Sequence, residues 1–516
     1  MRRSVRAALG ATLIVSALVG YVTLDVYDQV PGVLTLAPEP TAAAPTPSAS
    51  PRASVPIPTP TAGMPLRPAG ADAPVPNTAG LTAALAPVLA GNALGPDVAV
   101  VVRDAATGGH LVDVQADSPH APASTLKLLS AVGVLQGLGA TTTLDTKVVA
   151  GADPSRIVLV VGGDSLLEPG AGRPDQVAGR AGLADLAAHT AAALAAAGTS
   201  AVTLAVDASY AEGPASAPTW PPSFLATGIT GPVAMAGLST HRATPNHPGA
   251  TDPVGEVLST FAARLREHQV TVSVAPQPLP AEAGLGARAG GSPTPGAAAA
   301  AASATPAPTP STSLAGAPAP GTTLAVVSSA PVVDQLVLAL QESDNGLTET
   351  LARQAAFRAT GARDFAGVAA YLISQAQALG LDVTGSTLYD ASGLTRDARL
   401  PARLLADVLM LAGSGKVPGL ADVVRELPVA ALSGTLADRF TDPRTQAGVG
   451  VVRAKTGTLT GVSSLAGTVV TADGRPLVFV VLGAAPQGTP EARLALDQLA
   501  AVLATCGCRP SAGGTP

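Results

Sequence analysis

The chain contains few aromatic residues and has no excess of positive charge. Only 2% of its 516 residues are aromatic, and its formal net charge is −6. Proteins that bind nucleic acid usually present a basic surface, and many stack bases on aromatic rings. We therefore do not expect nucleic acid to be a partner.

Cysteine is almost absent, since Cys506 and Cys508 near the C-terminus are the two in the chain. A structural zinc site needs four ligands, and this pair has no matching cluster of His or Cys. We interpret it as part of a tail, residues 506–516. The histidines show no metal-ligand spacing either and are interpreted as surface or core residues: His110, His120, His189, His241, His247 and His268.

Lysine is scarce as well, because only four of the 30 basic residues are lysines: Lys127, Lys147, Lys416 and Lys455. The abundance of Ala, Gly, Pro and Arg is typical of a GC-rich bacterial genome. A lysine kept in such a chain is informative where a titratable amine is needed, because arginine is effectively never deprotonated.

The N-terminal residues 1–32 contain one long apolar run, the 18 residues 7–24, which follows three arginines. Its length lies between a signal-peptide core and a full membrane span, and its basic flank places the N-terminus in the cytoplasm. No A-x-A cleavage site follows directly, so we expect an uncleaved, single-pass anchor in the cell membrane. A cleaved signal peptide is the alternative, and in both cases the rest of the chain is exported.

Two tracts rich in Pro, Ala and Thr offer little material for a core. Residues 33–77 are predicted to be an extended linker that holds the folded part away from the membrane. Residues 281–321 are predicted to be a disordered surface insertion.

Alternating apolar residues predict two early strands, near 97–103 and 110–115, and three late strands within 449–485. Together they would form one five-stranded antiparallel sheet. Helices of the 331–378 region would cover it, and a C-terminal helix would begin with Thr489 as its N-cap. The fold class is therefore α+β.

This sheet requires the chain to leave the domain and return. We predict a main domain made of residues 78–140 and 322–505, interrupted by one or two inserted domains at 141–280. In the interruption, the strand-like runs "RIVLVVGGD", "AVTLAVDAS" and "VTVSV" alternate with helical ones.

Ser124 and Lys127 stand at the start of a predicted helix. Residues three apart share a helical face, so both side chains would point the same way. A serine hydroxyl needs a base to become a nucleophile, and a buried lysine with a lowered pKa can serve. Free N–H groups at the helix start, including that of Ser124, would face a developing oxyanion. An S-x-x-K alone also arises readily by chance.

Lys455, Thr456 and Gly457 fall at the end of a predicted strand. An amine and a hydroxyl there would hold a carboxylate by charge-assisted hydrogen bonds. Gly457 would leave room for a substrate backbone along the strand edge. The N–H of Thr458 would be a second oxyanion donor.

Ser343, Asp344 and Asn345 separate two helical runs. Ser343 would relay a proton to a leaving amine, and Asn345 would orient Lys127 and bind a substrate amide. Alone, S-D-N is typical of a helix end. The order S-x-x-K, S-x-N, K-T-G is the set found in penicillin-recognising enzymes.

At these residues the chain resembles the serine-type D-Ala-D-Ala carboxypeptidases and endopeptidases, and among them the class C low-molecular-mass penicillin-binding proteins. The resemblance implies a penicillin-binding/β-lactamase-like transpeptidase domain that carries inserted domains. One segment departs from the pattern, since "VGGDSLL" (161–167) lacks the proline of the usual G-G-D-P. The segments that carry the resemblance are "STLK" (124–127), "SDN" (343–345), "YDASGLTRDARL" (389–400), "LSGTL" (432–436) and "VRAKTGTLTGVSSLAG" (452–467).

The resemblance also implies a reaction on peptidoglycan stem peptides. Ser124 would attack the carbonyl between two D-alanines while Lys127 removes its proton. Lys455 and Thr456 would hold the terminal carboxylate, and Ser343 would help to protonate the departing amine. Water would then release the acyl-enzyme, β-lactams would acylate Ser124 as covalent inhibitors, and no metal or cofactor would be needed.

Three other functions were considered. "GGDSLL" contains the G-D-S-L of another serine hydrolase class, with Ser165 as nucleophile, but no D-x-x-H follows it. A β-lactamase shares the three motifs, yet the chain has no E-x-x-L-N segment to activate a deacylating water and is long and rich in insertions. A wall-binding protein with a degenerate site is disfavoured because all the motif residues are present.

Overall fold

The structure is a computed structural model that describes residues 70–276 and 318–506. The predicted anchor, most of the predicted linker and low-complexity tract, and Cys508 lie outside these residues. Within them, no helix is both long and apolar enough to cross a membrane. The helices are α1 (Thr78–Ala90), α2 (Lys127–Leu138), α3 (Leu183–Ala196), α4 (Ser223–Ala226), α5 (Pro253–Glu267), α6 (Val332–Glu342), α7 (Asn345–Thr360), α8 (Phe365–Ala378), α9 (Ala402–Leu411), α10 (Leu420–Arg425) and α11 (Thr489–Thr505).

The described strands form two five-stranded sheets and one short two-stranded pair. They are β1 (Ala99–Asp104), β2 (His110–Val114), β3 (Pro119–His120), β4 (Asp145–Ala150), β5 (Arg156–Val161), β6 (Ala201–Asp207), β7 (Thr271–Val274), β8 (Thr323–Ser328), β9 (Leu400–Pro401), β10 (Val452–Leu459), β11 (Val462–Val470) and β12 (Pro476–Ala484).

The first sheet has the order β10-β11-β12-β1-β2, and every neighbouring pair is antiparallel. It joins the two early strands to the three late ones, which confirms the predicted five-stranded antiparallel sheet and the α+β class. β10 is an edge strand, and its Lys455 and Gly457 lie opposite Ala466 and Ser464 of β11. The K-T-G motif therefore lies on a strand with one open side.

Helices cover both faces of this sheet, so its central strands are buried on both sides and read as nearly continuous apolar runs. On one face, Val480 and Ala466 belong to a core with Leu405 of α9 and Leu129 of α2. On the other, Phe479 packs in a core with residues of α11 and α1.

The expectation that helices of the 331–378 region cover the sheet was wrong in its main part. α9 makes the principal helix contacts on that face, whereas α7 and α8 pack chiefly on α2, and α6 packs on α10, α2 and α7. The reason is that α2 is enclosed on nearly every side, and ten of its residues are buried. A helix of this kind needs partners on every side.

The second sheet has the order β7-β6-β5-β4-β8, with β5, β6 and β7 parallel and the two remaining pairs antiparallel. All five strands come from residues 145–328. α3 and α5 contribute to the core on one face, with Leu159, Leu204 and Phe261 fully buried. The strand-like runs in the sequence located β5, β6 and β7 but not β4 or β8. The predicted domain boundaries stay predictions.

One local prediction at the C-terminal helix was wrong by one position. Thr489 is the first residue of α11, and the residue before it is Gly488, whose φ is +116°. Thr489 is therefore inside the helix and does not act as its N-cap.

Candidate active site

Ser124 lies in a 3-10 turn, Ala123–Leu126, that leads directly into α2. The position at a helix start is the predicted one. Ala123 has a φ of +47°, a left-handed conformation that is uncommon for a residue with a side chain. Ser124 is partly exposed while its neighbours on both sides are buried. The turn thus presents one hydroxyl to solvent from an otherwise enclosed segment.

Lys127 is fully buried, and its amine has three acceptors around it. Nζ lies 3.0 Å from Ser124 Oγ, 2.6 Å from Asn345 Oδ1 and 2.8 Å from the carbonyl oxygen of Ser392. An ammonium would donate to all three, whereas a neutral amine would donate to two and offer its lone pair to the Ser124 hydroxyl.

Burial lowers the pKa of Lys127 to about 8, because an ammonium group loses its hydration there. The carboxylates of Glu349, Asp390 and Asp344 act in the opposite direction and limit the fall of this pKa. A substantial fraction of the amine is therefore neutral near physiological pH.

Ser343 and Lys455 form a second pair beside the first. Lys455 Nζ donates to Ser343 Oγ at 2.9 Å and to the carbonyl oxygen of Thr456 at 2.9 Å. Burial, followed by the nearby Lys127, places the pKa of Lys455 well below its usual range. Ser343 has a φ of +59° at the end of α6, so the first residue of the S-D-N motif is also held in a left-handed conformation.

Asn345 is the first residue of α7, which Asp344 caps by accepting the N–H of Leu347. The side-chain amide of Asn345 bridges two parts of the chain. Its Oδ1 accepts from Lys127, and its Nδ2 donates to the carbonyl oxygen of Ile229 at 2.6 Å. The segment between β6 and α5 therefore contributes directly to the site.

The edge of β10 closes tightly on the turn that carries the serine. A Cβ placed on Gly457 would lie 3.0 Å from Ser124 N and 2.8 Å from the carbonyl oxygen of Pro122. Ser464 Oγ donates to that same carbonyl at 2.7 Å. Thr458 pairs with Ser463 in the sheet and is partly buried. Its role as an oxyanion donor stays a prediction.

Thr456 and Thr435 connect the strand to the "LSGTL" segment. Their hydroxyl oxygens are 2.8 Å apart, and Thr435 lies in a short 3-10 turn, Gly434–Leu436. The sequence identified this segment by resemblance only and assigned it no contact.

The predictions missed a buried carboxylate, that of Glu349 on α7. Its Oε1 accepts the N–H groups of Ala391 and Ser392, at 2.9 and 2.8 Å. Burial, reinforced by the nearby Asp390, raises the pKa of Glu349 to about 7. Its spacing of four from Asn345, which places both on one helix face, is the signal that would have identified it.

Asp390 is a second buried carboxylate that the sequence left without a role. It accepts the N–H of Gly393 at 2.8 Å and the indole N–H of Trp220 at 2.8 Å. It therefore fixes the loop 389–395, which supplies the Ser392 carbonyl to Lys127.

Ser165, the nucleophile of the alternative hydrolase class, is not part of this network. It lines a cleft together with His241 and Arg242, and Asp344 of the S-D-N motif also lines that cleft. Among the residues that the structure describes, no hydrogen bond joins Ser165 to a histidine, and no three His, Cys, Asp or Glu side chains cluster as metal ligands.

Comparison with known proteins places this geometry in a family context. The family described as D-Ala-D-Ala carboxypeptidase 3 (S13) matches residues 81–279 and 309–506. A carboxypeptidase DacB of Mycolicibacterium smegmatis is 33% identical over 450 residues, 86% of this chain and 87% of that protein. A carboxypeptidase of Mycobacterium tuberculosis is 33% identical over 448 residues, with the same coverage of 86% and 87%.

The fold is also found among solved structures. The crystal structure of penicillin-binding protein 4 from Haemophilus influenzae matches with a TM-score of 0.59 at 19% identity, over 83% of this chain and 98% of that one. At this identity the match supports the fold alone.

Proposed function

This chain belongs to the D-Ala-D-Ala carboxypeptidase 3 (S13) family, and we infer that it is a penicillin-binding serine peptidase that hydrolyses D-alanyl-D-alanine bonds in peptidoglycan stem peptides. The observation that carries the inference is the buried amine of Lys127, 3.0 Å from the Ser124 hydroxyl. This is the pairing that a hydroxyl nucleophile needs when no histidine is present to activate it.

Acylation uses Ser124 as the nucleophile and Lys127 as the general base. The neutral amine takes the hydroxyl proton as the serine oxygen attacks the carbonyl carbon between the two D-alanines. The Asn345 and Ser392 oxygens, at 2.6 and 2.8 Å from Nζ, stabilise the ammonium that results. The backbone N–H groups of Ser124 and Thr458 receive the oxyanion.

Ser343 and Lys455, together with Thr456, recognise the substrate and protonate the leaving group. Lys455 and Thr456 hold the terminal carboxylate along the open edge of β10. Ser343, which accepts from Lys455 at 2.9 Å, passes a proton to the departing amine. The proton that Lys127 took from Ser124 replaces the one that Ser343 passed on, so Lys127 is again a neutral amine. It then takes a proton from the water that hydrolyses the ester, and this proton returns to the Ser124 oxygen as the enzyme is regenerated.

A fluorescent penicillin tests the chemistry directly. The wild-type protein is expected to become covalently and persistently labelled, and Ser124→Ala is expected to abolish labelling, because the acylated oxygen is removed. Release of D-alanine from a pentapeptide by the wild type is expected in parallel. Labelling that survives in Ser124→Ala would refute the assignment of the nucleophile.

Two outcomes would favour the other functions. Rapid turnover of penicillin would indicate a β-lactamase, and a folded wild type that neither labels nor releases D-alanine would indicate a degenerate wall-binding protein. Mass spectrometry of monomeric and cross-linked muropeptides after incubation separates carboxypeptidase from endopeptidase activity, since only the latter splits the cross-linked species.

We propose further that the peptidase acts outside the cytoplasm, held at the cell membrane by residues 1–32. The apolar run 7–24 with its preceding arginines supports this, together with the Pro-rich stretch that follows. The full-length chain is expected in the membrane fraction, and a chain that begins at residue 33 in the soluble fraction. Recovery of both in the soluble fraction would contradict anchoring.

A further inference from the structure

Glu349 is a buried carboxylate that bonds to the loop beside Lys127 and makes no hydrogen bond to Ser124. It lies one turn after Asn345 on α7, and its side chain is about 2% exposed. Both of its described hydrogen bonds are accepted by one oxygen, Oε1, from the N–H groups of Ala391 and Ser392. A carboxylate that accepts backbone N–H groups fixes the peptide planes to which they belong.

Those peptide planes determine where the Ser392 carbonyl points. The carbonyl oxygen of Ser392 accepts from Lys127 Nζ at 2.8 Å. The neighbouring carbonyl of Ala391 accepts from Ser130 Oγ at 2.6 Å, and Ser130 lies one turn after Lys127 on α2. The loop is therefore held by α7 on one side and by α2 on the other, with the catalytic amine between them.

The loop also packs against the turn of the nucleophile. Gly393 has a φ of +81°, and a Cβ there would lie 1.9 Å from the carbonyl oxygen of Ala123. A displacement of the loop would thus be transmitted to both Lys127 and the residue that precedes Ser124.

Charge gives Glu349 a second effect on the same amine. Lys127 is faced by the carboxylates of Glu349, Asp390 and Asp344, and by the amine of Lys455. Of these, Glu349 is the carboxylate that most strongly opposes the fall of the Lys127 pKa caused by burial.

Two charged groups surround Glu349 itself. Asp390 raises the pKa of Glu349 further, and the buried guanidinium of Arg353 interacts with its carboxylate. Arg353 lies on α7, as Glu349 does, and Asp390 lies in the loop to which Glu349 is hydrogen-bonded.

We propose that Glu349 is a positioning residue for the general base: it holds the 390–393 loop so that the Ser392 carbonyl orients Lys127, and its carboxylate, when ionised, favours the charged form of that amine. This rests on the proposed function of Ser124 and Lys127. The carboxylate is not consumed in the reaction and does not touch the substrate.

The Glu349→Gln variant separates charge from position, because glutamine keeps an oxygen that can accept both N–H groups. The measurement is the acylation rate with fluorescent penicillin from pH 5 to 10. In the wild type this rate should rise as Lys127 loses its proton, around its pKa of about 8. Without the negative charge the ammonium is less stable, so the midpoint of this rise should move to lower pH by about 1 unit.

Glu349→Ala tests position, since it leaves two buried N–H groups without an acceptor. Its acylation rate at the pH optimum should fall about 10- to 100-fold and should not recover at high pH, whereas Glu349→Gln restores most of it. If the folded Glu349→Ala protein reached the same maximal acylation rate as the wild type, the positioning role would be overturned. An unchanged midpoint in Glu349→Gln would overturn the charge role even if the alanine variant fails to fold.

Asp164→Asn is the matched control. Asp164 is as deeply buried, burial raises its pKa to about 7, and its described hydrogen bond is to the N–H of Leu166. It does not act on Lys127, so the midpoint should stay at the wild-type value. A wild type that is not labelled at Ser124 would instead refute the proposed function, so the two failures are distinguishable.

Discussion

Gly457 is the residue at which the edge strand comes closest to the turn of the nucleophile. A methyl group there would lie 2.1 Å from Ser464 Oγ, 2.8 Å from the Pro122 carbonyl oxygen and 3.0 Å from Ser124 N. The serine hydroxyl can rotate away, but the two backbone atoms can move only if the strand or the turn moves. The glycine therefore sets the spacing between the nucleophile and the substrate-binding edge.

Gly457→Ala should lower the acylation rate at least tenfold, because small displacements of a reacting atom are costly. Overpacking should also lower the free energy of unfolding by about 1–3 kcal/mol. Fluorescent penicillin labelling and urea denaturation measure the two effects. A suitable control is Gly413→Ala, since a Cβ at Gly413 meets no atom within 4 Å. Equal labelling rates in the two variants would contradict this account.

At the scale of residues, the sequence predicted the groups whose relation is local. Ser124 and Lys127 are three apart on one helical turn, and their hydrogen bond follows from that spacing. Glu349 could not be assigned a role in the same way, because its partners in the loop lie 42 and 43 residues away. The bond from Trp220 to Asp390 spans 170 residues and was equally invisible. The Ser392 group that contacts Lys127 is a backbone carbonyl, which every residue has, so the identity of the residue does not indicate this role.

At the scale of elements, α7 and the segment before α5 hold the S-D-N motif together. Arg242 lies at the end of a 3-10 turn, and its guanidinium contacts Asp344 Oδ2 at 3.2 Å and Glu342 Oε2 at 2.6 Å. The adjoining Asn345 donates to Ile229 of the same segment. The region between β6 and α5 thus fixes two consecutive residues of the motif.

Arg242→Ala should weaken this hold. It leaves the buried Asp344 without its cation, which should cost about 1–3 kcal/mol of unfolding free energy. The acylation rate should fall about tenfold as Asn345 loses its fixed position. Stopped-flow labelling and thermal unfolding would measure the two effects.

Arg264→Ala provides the comparison for Arg242→Ala. Arg264 bonds to Glu267 and to the Pro169 carbonyl, and all three residues lie away from the S-D-N motif in the region of the second sheet. Its loss should change stability by about 1 kcal/mol or less and leave labelling unchanged. If both variants label at the wild-type rate, Arg242 does not position the motif.

The strands of the first sheet were predicted better than the packing of the helices around them. The five strands of the first sheet were located because their runs are apolar and bounded by turns. The packing of α6, α7 and α8 on α2 was missed, because a helix that is mostly apolar and buried on nearly every side, such as α2, does not indicate in sequence which neighbour it takes. β4 was missed because its short run, "DTKVVA", carries Asp145 and Lys147.

At the scale of the whole molecule, the two large sheets are linked through α7 and the 389–395 loop. Trp220 from the region of the second sheet donates to Asp390, and Gln354 of α7 donates to the Gly163 carbonyl at 3.0 Å. Both sheets fall within one compact unit. The spacing of the motifs indicated that the chain leaves one domain and returns to it. It did not indicate that the residues in between would contact the 389–395 loop.

These links lead us to expect that both sheets unfold together. Trp220 is the single tryptophan of the chain, it is about 5% exposed, and its indole is bonded to the loop that orients Lys127. Its emission therefore reports on the second sheet and on the catalytic loop at once. In urea, the red shift of this emission, the loss of helical circular dichroism and the loss of penicillin labelling should share one midpoint, as two-state unfolding requires. An emission shift at lower urea, with labelling retained, would mean that the second sheet unfolds independently and that its contacts are not needed to hold the general base in place.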